Sequence, residues 1–389
     1  MSKKIYFDGL GLVDGHFSGV GQYILGVLKG IDENIEDLKY DGLPHPRVSV
    51  IIPMDKVDRF REFKFKHITY RRLPLSFRVM SKLWHSGKLP PIDLWCGRGV
   101  YIFPRFVDMP LLFSKSAMVI FDLSYELHRE FSDIGNAEFL SNKVRKSLKN
   151  TSKVITISES ARNEIIEFYK VNPDKVVIAT PAADQASFYR RSEDEIQSVK
   201  KKYGIKQDYI LALSNLEPRK NLKGLVDAYC KLPKAITDST ALLLVGVNGW
   251  KMEDLFSHII EKVSEGFNII RPSQYVTDQD KPAIISGAKM LVYPSHYEGF
   301  GMPPLEALAC GVPVITANNS SLPEVVGSVG VTVDSHDNKA LQKEMESLLQ
   351  NYSKVLKRIK IDGPLQADKF SWKTSGEVFI SVAEEISKK

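Results

Sequence analysis

Short runs of β-branched residues alternate with helix-length amphipathic segments along nearly the whole chain. Such alternation is typical of parallel sheets with helices packed on both faces. We predict strands near Lys4–Asp8, Arg47–Ile52, Ala117–Phe121, Val154–Ile157, Val176–Ala179, Tyr209–Leu213, Leu242–Val245, Asn268–Ile270, Met290–Tyr293, Val312–Thr316 and Gly330–Val333. We predict helices near Val20–Gly30, Ala137–Lys149, Glu159–Tyr169, Leu222–Lys231, Lys251–Glu265, Pro304–Cys310, Lys339–Asn351 and Trp372–Lys388. Each half of the chain therefore carries a complete set of α/β elements.

The length of the chain favours two domains. It has 389 residues, and single hydrophobic cores stop growing near roughly 250–300 residues. Hydrophobic residues make up 43% of the chain, which is enough for two cores. We predict Rossmann-like domains over residues 1–187 and 188–370, with a final helix over 371–389 that crosses back to the first domain. The long stretch Asp55–Pro91 is poorly patterned, so we expect an irregular or mobile region there.

Cysteine usage and hydropathy indicate the compartment. The three cysteines lie far apart and have no CxxC spacing, which argues against a disulfide framework and a zinc site. No stretch approaches the ~20 apolar residues that a membrane span needs, and Met1–Asp8 has no apolar signal region. We expect a cytoplasmic protein. The net charge of +6 is mild, and we expect no nucleic-acid partner.

The segment Val292–Glu306 has the features of a ligand-binding loop. A predicted strand ends at Tyr293, and ligands of open α/β sheets bind beyond the carboxyl ends of the strands. Glycines in the loop allow the backbone to approach a ligand, and the prolines that follow open a helix whose free N–H groups attract an anion. Glu298 and Glu306 flank this turn, and carboxylates can accept two sugar hydroxyls at once.

The sequence around this loop resembles the signature of family 4 glycosyltransferases with the GT-B fold, in which two Rossmann-like domains face a central cleft. The resemblance begins with Glu-Gly-Phe-Gly-Met-Pro-Pro-Leu-Glu at Glu298 and covers nearly the whole chain. The subgroup that it resembles most is that of bacterial mannosyltransferases and related enzymes that build surface polysaccharides. Further matching segments are Ala309–Thr316, Ser320–Val325, Leu216–Leu222, Thr156–Ser160 and Ser18–Tyr23.

This resemblance implies roles for residues of the second half. Glu306 would hold the nucleotide ribose and Glu298 the donor hexose. Arg219 and Lys220 would grip the diphosphate and neutralise the charge that grows on the leaving group. The backbone from Gly299 to Met302 would cradle sugar and phosphate. The expected donor site therefore includes Arg219, Lys220, Glu298, Gly299, Phe300, Gly301, Met302 and Glu306.

In the first half, the resemblance implies that Gly19 and Gly21 form a loop facing the donor phosphates. The family often carries a His-Asp pair after a central strand, and here Phe121 takes the place of the histidine while Asp122 remains. We include Asp122 among the expected catalytic residues with Glu298, Arg219 and Lys220. Phenylalanine cannot donate a hydrogen bond, which questions the usual role of this position; His16 in the preceding glycine-rich loop is a candidate replacement.

We expect neither a metal nor a bound cofactor. Asp278 and Asp280 resemble a DxD metal motif, but they precede a predicted helix, where aspartates act as caps. The resemblance implies a retaining transfer in which the leaving phosphate accepts the proton of the acceptor hydroxyl. We expect GDP-mannose as donor and a saccharide or lipid-linked glycan as acceptor. A UDP-hexose or dTDP-rhamnose donor, a nucleotide-sugar epimerase and a catalytically inactive assembly protein are the alternatives.

The segment Arg59–Lys88 is strongly basic, with nine Lys and Arg residues, a single acid and interleaved aromatic residues. Anionic lipids attract such residues, and aromatic rings suit the membrane interface. We therefore predict that it contacts the acceptor or the inner membrane, with Arg71, Arg72 and Trp84 as candidates. A solvated basic face and RNA binding are the alternatives.

Overall fold

The computed structural model describes residues 3–13 and 18–388, and the chain forms two compact units. Unit 1 comprises Met1–Pro181 and Ser371–Lys389, and unit 2 comprises Ala182–Phe370. The boundary lies after Pro181, whereas the sequence analysis drew it at residue 187. One contact that ties the intervening residues to unit 2 is the bond from Nε2 of Gln185 to Oδ1 of Asp368 (2.7 Å).

Unit 1 is built on a parallel sheet of seven strands in the order β3-β2-β1-β4-β5-β6-β7. These strands are β1 (Lys4–Asp8), β2 (Arg47–Pro53), β3 (Thr69–Leu73), β4 (Val100–Phe103), β5 (Lys115–Val119), β6 (Lys153–Thr156) and β7 (Val176–Ile178). All residues of β4 and β6 are buried, as expected for strands whose two faces are both covered.

The helices in the first segment of unit 1, before Pro181, are α1 (Leu10–Val13), α2 (Gly19–Tyr40), α3 (Val57–Arg61), α4 (Phe77–His85), α5 (Asp93–Cys96), α6 (Ser124–Leu127), α7 (Ile134–Asn150) and α8 (Glu159–Tyr169). Side-chain caps define where the long ones begin. Ser18, Asp133 and Ser158 accept hydrogen bonds from backbone N–H groups of the first turns of α2, α7 and α8. Such caps satisfy donors that have no partner within the helix.

Unit 2 is built on a parallel sheet of six strands in the order β10-β9-β8-β11-β12-β13. They are β8 (Asp208–Leu213), β9 (Thr240–Val245), β10 (Ile269–Ile270), β11 (Met290–Tyr293), β12 (Val314–Ala317) and β13 (Val331–Val333). The helices are α9 (Glu193–Lys202), α10 (Leu222–Cys230), α11 (Lys234–Ser239), α12 (Glu253–Ser264), α13 (Lys281–Ser286), α14 (Met302–Ala309), α15 (Leu322–Val326), α16 (Asn338–Gln350) and α17 (Tyr352–Ala367). The α/β class and the two Rossmann-like domains predicted from the sequence are confirmed.

The final helix, α18 (Trp372–Lys388), packs against α2 in unit 1. Glycines allow the two helices to approach closely. A Cβ at Gly30 would lie 1.9 Å from the carbonyl oxygen of Trp372, and a Cβ at Gly376 would lie 2.5 Å from the backbone of Gly30. Nδ2 of Asn34 donates to the carbonyl oxygen of Lys373 at 2.7 Å, so a buried polar contact accompanies the packing.

The prediction of an irregular stretch over Asp55–Pro91 is wrong. The stretch contains α3, β3 and α4. The strand β3 lies at the edge of the sheet, and its burial pattern leaves Arg71 and Arg72 exposed. Because an edge strand is only partly covered, its sequence lacks the apolar run by which the other strands were found. The strand β4 was also missed. Among the described residues, no helix combines the length and apolar character needed to cross a bilayer.

Candidate active site

Three ionisable side chains of unit 2 meet in what we call the buried ion cluster. Oε2 of Glu298 lies 3.0 Å from Nη1 of Arg219, and Oε1 of Glu298 lies 2.5 Å from Nζ of Lys220. Glu298 and Lys220 are each 7% exposed, so water screens these charges little. These three residues were predicted to share one site, and the structure brings their side chains into contact.

Two adjacent strands position the cluster. Strand β8 is followed by a 3-10 turn over Pro218–Lys220, and β11 is followed by the loop that carries Glu298. Because β8 and β11 pair in parallel, both loops leave the same carboxyl edge of the sheet. Asn221 ends the turn in a left-handed conformation with φ of 51°, and its Nδ2 donates to the carbonyl oxygen of Ser335 at 2.6 Å. This contact fixes the backbone that presents both cations.

The electrostatics of the cluster favour a carboxylate at Glu298. Burial alone would raise the pKa of the Glu298 carboxyl, but the charges of Arg219 and Lys220 outweigh burial and lower this pKa to about 2. Burial lowers the pKa of the Lys220 ammonium, and the charge of Glu298 opposes that effect. The site therefore holds an ionised carboxylate at neutral pH beside two cationic side chains.

Two residues that the sequence analysis did not assign hold the cations in place. Nη2 of Arg219 donates to Oε1 of Glu217 at 2.7 Å, and Nη1 also donates to the carbonyl oxygen of Tyr297 at 2.7 Å. Nζ of Lys220 donates to the hydroxyl oxygen of Tyr293 at 2.8 Å. Glu217 and Tyr293 follow or end strands at the carboxyl edge of the sheet, and this position was the signal that could have found them.

Hydroxyl groups of a neighbouring turn fix the loop that carries Glu298. The backbone N–H of Glu298 donates to Oγ of Ser320 at 3.0 Å. Oγ of Ser321 lies 2.9 Å from the carbonyl oxygen of Glu298 and 2.6 Å from that of Phe300. The ring of Phe300 is buried against Phe370, with 5.4 Å between centroids. The side chain of Phe300 therefore packs in the core of unit 2, and its carbonyl fixes the loop.

The glycines of the loop allow a tight backbone path. Gly301 has φ of 122°, a conformation that residues with a side chain rarely adopt. A Cβ there would lie 2.8 Å from a methyl carbon of Leu322. Gly299 is also buried, and Met302 begins α14 directly after Gly301. The backbone N–H groups of this first turn are donors for an anion; the predicted phosphate cradle at these residues stays a prediction.

Glu306 lies in α14, apart from the buried ion cluster. The side chain is 5% exposed. Burial raises the pKa of its carboxyl, while the charge of Lys281 opposes the shift. The charges that act on Glu306 are those of Lys281 and Asp278, whereas Glu298 binds Arg219 and Lys220. The predicted pair of carboxylates is therefore split between an ionised group bound to cations and a buried group whose charge is only weakly compensated.

The candidate residues of the first half belong to unit 1. Gly19 is the first residue of α2, with open space where a Cβ would stand, and Gly21 is buried in the first turn. Oδ1 of Asp122 accepts hydrogen bonds from the backbone N–H and the hydroxyl of Ser124, at 2.9 and 2.7 Å. In this structure Asp122 thus stabilises the start of the short helix α6, and its predicted catalytic role stays a prediction.

Phe121 belongs to the core of unit 1. It is 7% exposed, and its ring contacts those of Tyr23 and Phe106, with centroid separations of 5.2 and 5.3 Å. The residue that replaces the family histidine therefore contributes packing. His16, the candidate replacement, lies outside the described residues.

Of the acceptor candidates Arg71, Arg72 and Trp84, the two arginines do not share one face of the sheet. Arg71 and Arg72 are consecutive residues of β3, so their side chains point to opposite faces of the sheet. Nη2 of Arg71 donates to the carbonyl oxygen of Trp95, and Nε1 of Trp84 donates to that of Asp108, each at 3.3 Å. Trp84 is thus anchored by its indole group beside the loop that follows β4.

Asp278 and Asp280 precede α13 as predicted, but the predicted capping role is wrong for Asp280, which occupies the N-cap position without a side-chain hydrogen bond to the helix. Oδ2 of Asp280 accepts hydrogen bonds from Lys202 and Thr277, and Asp278 forms an ion pair with Lys281 at 3.0 Å. Across the ranges 3–13 and 18–388, no group of three or more His, Cys, Asp or Glu side chains has an arrangement that could hold a metal ion.

The proteins to which this chain is similar in sequence are glycosyltransferases. Residues 194–364 match the family model described as Glycosyl transferases group 1. The chain is 32% identical over 364 residues to O-antigen chain mannosyltransferase B of Escherichia coli, covering 91% of this chain and 93% of that protein. It is 31% identical over 273 residues to the serotype-specific mannosyltransferase WbdA of Escherichia coli, covering 68% of this chain and 33% of WbdA.

A solved structure shows the same fold. The crystal structure of Anabaena HepE in complex with UDP matches all of this chain and all of its own chain with a TM-score of 0.68 and 15% sequence identity. At this identity the likeness concerns the fold alone. The two Rossmann-like units of this chain are therefore those of the GT-B fold, as predicted.

Proposed function

Since the chain belongs to the group 1 glycosyl transferases, we propose that it transfers mannose from GDP-mannose to a saccharide or lipid-linked saccharide in bacterial O-antigen synthesis. The choice of sugar and polymer is supported by the relatives that are named O-antigen or serotype-specific mannosyltransferases. The single observation that supports a site in this chain is the buried ion cluster at the carboxyl edge of the second sheet.

Arg219 and Lys220 would bind the diphosphate of the donor. Both side chains follow β8 and lie next to the loop that opens α14, so cations and helix N–H groups are available at one edge of the sheet. Two cations beside a pyrophosphate stabilise the charge that develops as the nucleotide diphosphate leaves. This electrostatic role is the one that a metal has in other transferases, and we propose that transfer is independent of metal.

Glu298 would bind hydroxyl groups of the donor hexose. An ionised carboxylate has about four acceptor positions. Arg219 and Lys220 take one on each oxygen of Glu298, so positions for sugar hydroxyls remain. Glu306 would accept the ribose hydroxyls, whose hydrogen bonds would satisfy a buried carboxyl that carries little compensation in this structure.

We propose that the reaction retains the configuration of the anomeric carbon. The carboxylate of Glu298 is bound to two cations, which makes it a poor nucleophile, because its electron pairs are stabilised by positive charge. The acceptor hydroxyl would attack from the face that the phosphate leaves, and the leaving phosphate would take its proton. The rate would come chiefly from positioning and charge stabilisation.

We also propose that the enzyme acts in the cytoplasm, at the inner face of the membrane. The helix α4 supports this contact, because Arg78, Val79 and Lys82 are exposed while Met80 is buried in the core. The aromatic residues before α4 contribute less, because Phe60 is buried and the half-buried rings of Phe63, Phe65 and Tyr70 pack around it. Flotation with phosphatidylglycerol vesicles tests the contact, and the double substitution Arg78→Gln, Lys82→Gln is expected to abolish it.

The proposed reaction can be tested with radiolabelled GDP-mannose and a mannose-terminated oligosaccharide on a hydrophobic aglycone. We expect labelled product whose new linkage has the α configuration by NMR. In parallel, GDP, UDP and dTDP are compared by thermal shift, since a ligand that binds only the folded state raises its melting temperature. A larger shift with UDP or dTDP than with GDP would show that the donor is a UDP-sugar or a dTDP-sugar. Release of a free epimeric sugar nucleotide would show that the chain is an epimerase and not a transferase.

A further inference from the structure

A cavity of about 470 Å³ lies in unit 1. It is lined by residues at the starts of three strands, namely Lys4 of β1, Arg47 of β2 and His67, which shortly precedes β3. The candidate donor site of this chain uses loops at the carboxyl ends of strands, as ligands of such sheets generally do. The cavity occupies the amino-terminal edge of the first sheet, so it is a different site.

Positive charge dominates this cavity. Four of its lining residues are permanent or near-permanent cations, and none of its lining residues is an aspartate or glutamate. Within the described ranges, no ion pair joins any of the four to an acid. These residues are Lys4, Lys39, Arg47 and Arg71. Every charged group of the cavity is therefore a hydrogen-bond donor without an acceptor function.

The sheet register places two of these cations side by side. Lys4 and Arg47 are direct partners in the pairing of β1 with β2. Like charges on directly paired strand positions destabilise a sheet, because they repel at short range. Both side chains are exposed and neither is paired with an acid in the described part of the chain, so a bound anion would supply the opposite charge to both at once.

A further contact holds the third cation at the cavity wall. Nζ of Lys39 lies 2.9 Å from Nδ1 of His67. Because an ammonium group can only donate, Nδ1 must accept, and the neutral ring then carries its proton on Nε2. This Nε2 is buried and has no partner among the residues that the structure describes. The contact with His67 therefore places the Lys39 ammonium at the cavity wall and adds no negative charge to the cavity.

Acids of the neighbouring helix α2 are engaged elsewhere. Asp32 accepts hydrogen bonds from the backbone N–H groups of residues 66, 67 and 68. Glu36 forms an ion pair with Lys66 at 2.8 Å. Neither acid lines the cavity, so α2 contributes Lys39 to it and no compensating carboxylate.

We propose that this cavity is a second anion site, distinct from the donor site, which binds a phosphate or diphosphate group. Guanidinium groups bind phosphate oxygens in a bidentate manner, and ammonium groups add point charges. The same chemistry fits a free phosphorylated compound and the headgroup of an anionic lipid. The inference does not depend on which sugar nucleotide the donor site takes.

Pyrophosphate is the probe for the first test, and lysine acetylation read by mass spectrometry gives the position of binding. We expect pyrophosphate to protect Lys4 and Lys39 from acetylation. Lys343 of α16, which is exposed in unit 2, is the internal control and should be labelled equally with and without the probe. Because the readout is taken residue by residue, pyrophosphate bound at Lys220 cannot be mistaken for binding in the cavity. Unchanged labelling of Lys4 and Lys39 at saturating pyrophosphate would overturn the form of the proposal in which the ligand is a free phosphorylated compound.

The substitution Arg47→Gln tests the charge requirement. Loss of one charged hydrogen-bonding group is expected to reduce the protection of Lys4 and Lys39, so that about tenfold more pyrophosphate is needed. The melting temperature without ligand should not fall, since the change removes a like-charge contact. Lys343→Gln removes the same charge elsewhere and should leave the required concentration unchanged. An Arg47→Gln variant that folds normally and is protected at the wild-type concentration would refute the site.

A vesicle experiment distinguishes the two sources of phosphate. If the ligand is a lipid headgroup, flotation with phosphatidylglycerol vesicles should protect Lys4 and Lys39, and Arg47→Gln should remove that protection. If the ligand is a free phosphorylated compound, pyrophosphate protects both lysines and the vesicles do not. Protection by neither probe would contradict both forms of the proposal.

Discussion

Nζ of Lys220 lies 2.5 Å from Oε1 of Glu298, and both side chains are almost completely buried. A buried charge needs a partner, because transfer from water costs several kcal/mol per ion. Arg219 supplies a second cation to the same carboxylate. The ion pair of Lys220 and Glu298 therefore has two functions in this chain. It positions residues proposed to bind the donor, and it supplies the counter-charge that buried Lys220 needs.

The first prediction concerns Glu298→Gln. A residue that only binds the donor hexose could be replaced without loss of stability. The buried ion cluster changes that expectation, because the substitution leaves Lys220 buried without its counter-charge. We expect transfer to be lost and the free energy of unfolding at pH 7 to fall by about 3 kcal/mol. Enzyme assays and urea denaturation measure the two effects.

The control for this substitution is Glu346→Gln, an acid on the outer side of α16 that bonds to Gln350 at 3.1 Å. This control should change the stability by less than about 0.5 kcal/mol. A Glu298→Gln variant with wild-type stability and wild-type turnover would show that the cluster neither supports the fold nor takes part in the reaction.

The second prediction is a pH dependence of the same pair. The pKa of Glu298 is lowered from 4.5 to about 2 in the folded chain, so the folded state binds this proton less well than the unfolded state. The resulting stabilisation is fully present above pH 4.5 and is lost as the pH falls towards 2. Its size is about 3 kcal/mol. The stability difference between wild type and Glu298→Gln should therefore shrink steadily between pH 4.5 and pH 2, and a constant difference would contradict the assignment.

The third prediction concerns Glu306→Gln, because ionisation of Glu306 affects stability in the opposite direction to ionisation of Glu298. Burial raises the pKa of this carboxyl above its usual value, so ionisation opposes folding as the pH rises through the unfolded value towards the folded one. We expect Glu306→Gln to increase the melting temperature at pH 7 and to change it little at pH 4. If the carboxylate binds the ribose, the same variant should bind GDP more weakly. Thermal shift measurements with and without GDP test both statements.

Sequence reasoning located the candidate site because parallel sheets bring the ends of their strands to one edge. Glu298 and Arg219 are 79 residues apart, yet each follows a recognisable strand, and β8 pairs with β11. The side chains that support Glu298 and Arg219 could not be predicted from the sequence. Strand periodicity does not determine side-chain directions. It therefore could not predict which hydroxyl fixes the loop or that Tyr293 bonds Lys220.

Fold prediction failed for elements whose local sequence does not show the usual pattern of a strand or a helix. The strand β3 carries arginines and is exposed at an edge, so it lacks the apolar run of a covered strand. The helix α17, which was not predicted, contains Pro364 near its end; a proline inside a helix removes one backbone hydrogen bond, so it argues against a helix in the sequence. The place of Phe121 in the core was not predicted either, because the aromatic neighbours that enclose it come from other elements.

The fourth prediction tests the packing of the final helix. In Gly30→Ala, the new Cβ would lie 1.9 Å from the carbonyl oxygen of Trp372, so α2 and α18 must separate. We expect a loss of about 2 kcal/mol or more in the free energy of unfolding. Gly135→Ala is the matched control in α7, where the nearest atom to a Cβ is 3.4 Å away, and it should be neutral or slightly stabilising. Equal stability of the two variants in urea denaturation would contradict the close packing.

The fifth prediction concerns Ser321→Ala, which removes a hydroxyl and leaves the surrounding chain intact. Oγ of Ser321 is completely buried and contacts the carbonyl oxygens of Glu298 and Phe300. Its loss leaves these carbonyls without that donor, which costs about 1–3 kcal/mol of stability, and frees the loop that carries Glu298. Because a small displacement of a positioning group lowers rates strongly, we expect kcat to fall about tenfold or more. Ser239→Ala, which removes an exposed hydroxyl bonded to the carbonyl of Ala235, should change neither quantity. A Ser321→Ala variant that is destabilised but retains the wild-type kcat would show that this contact supports the fold of unit 2 and does not position the reacting groups.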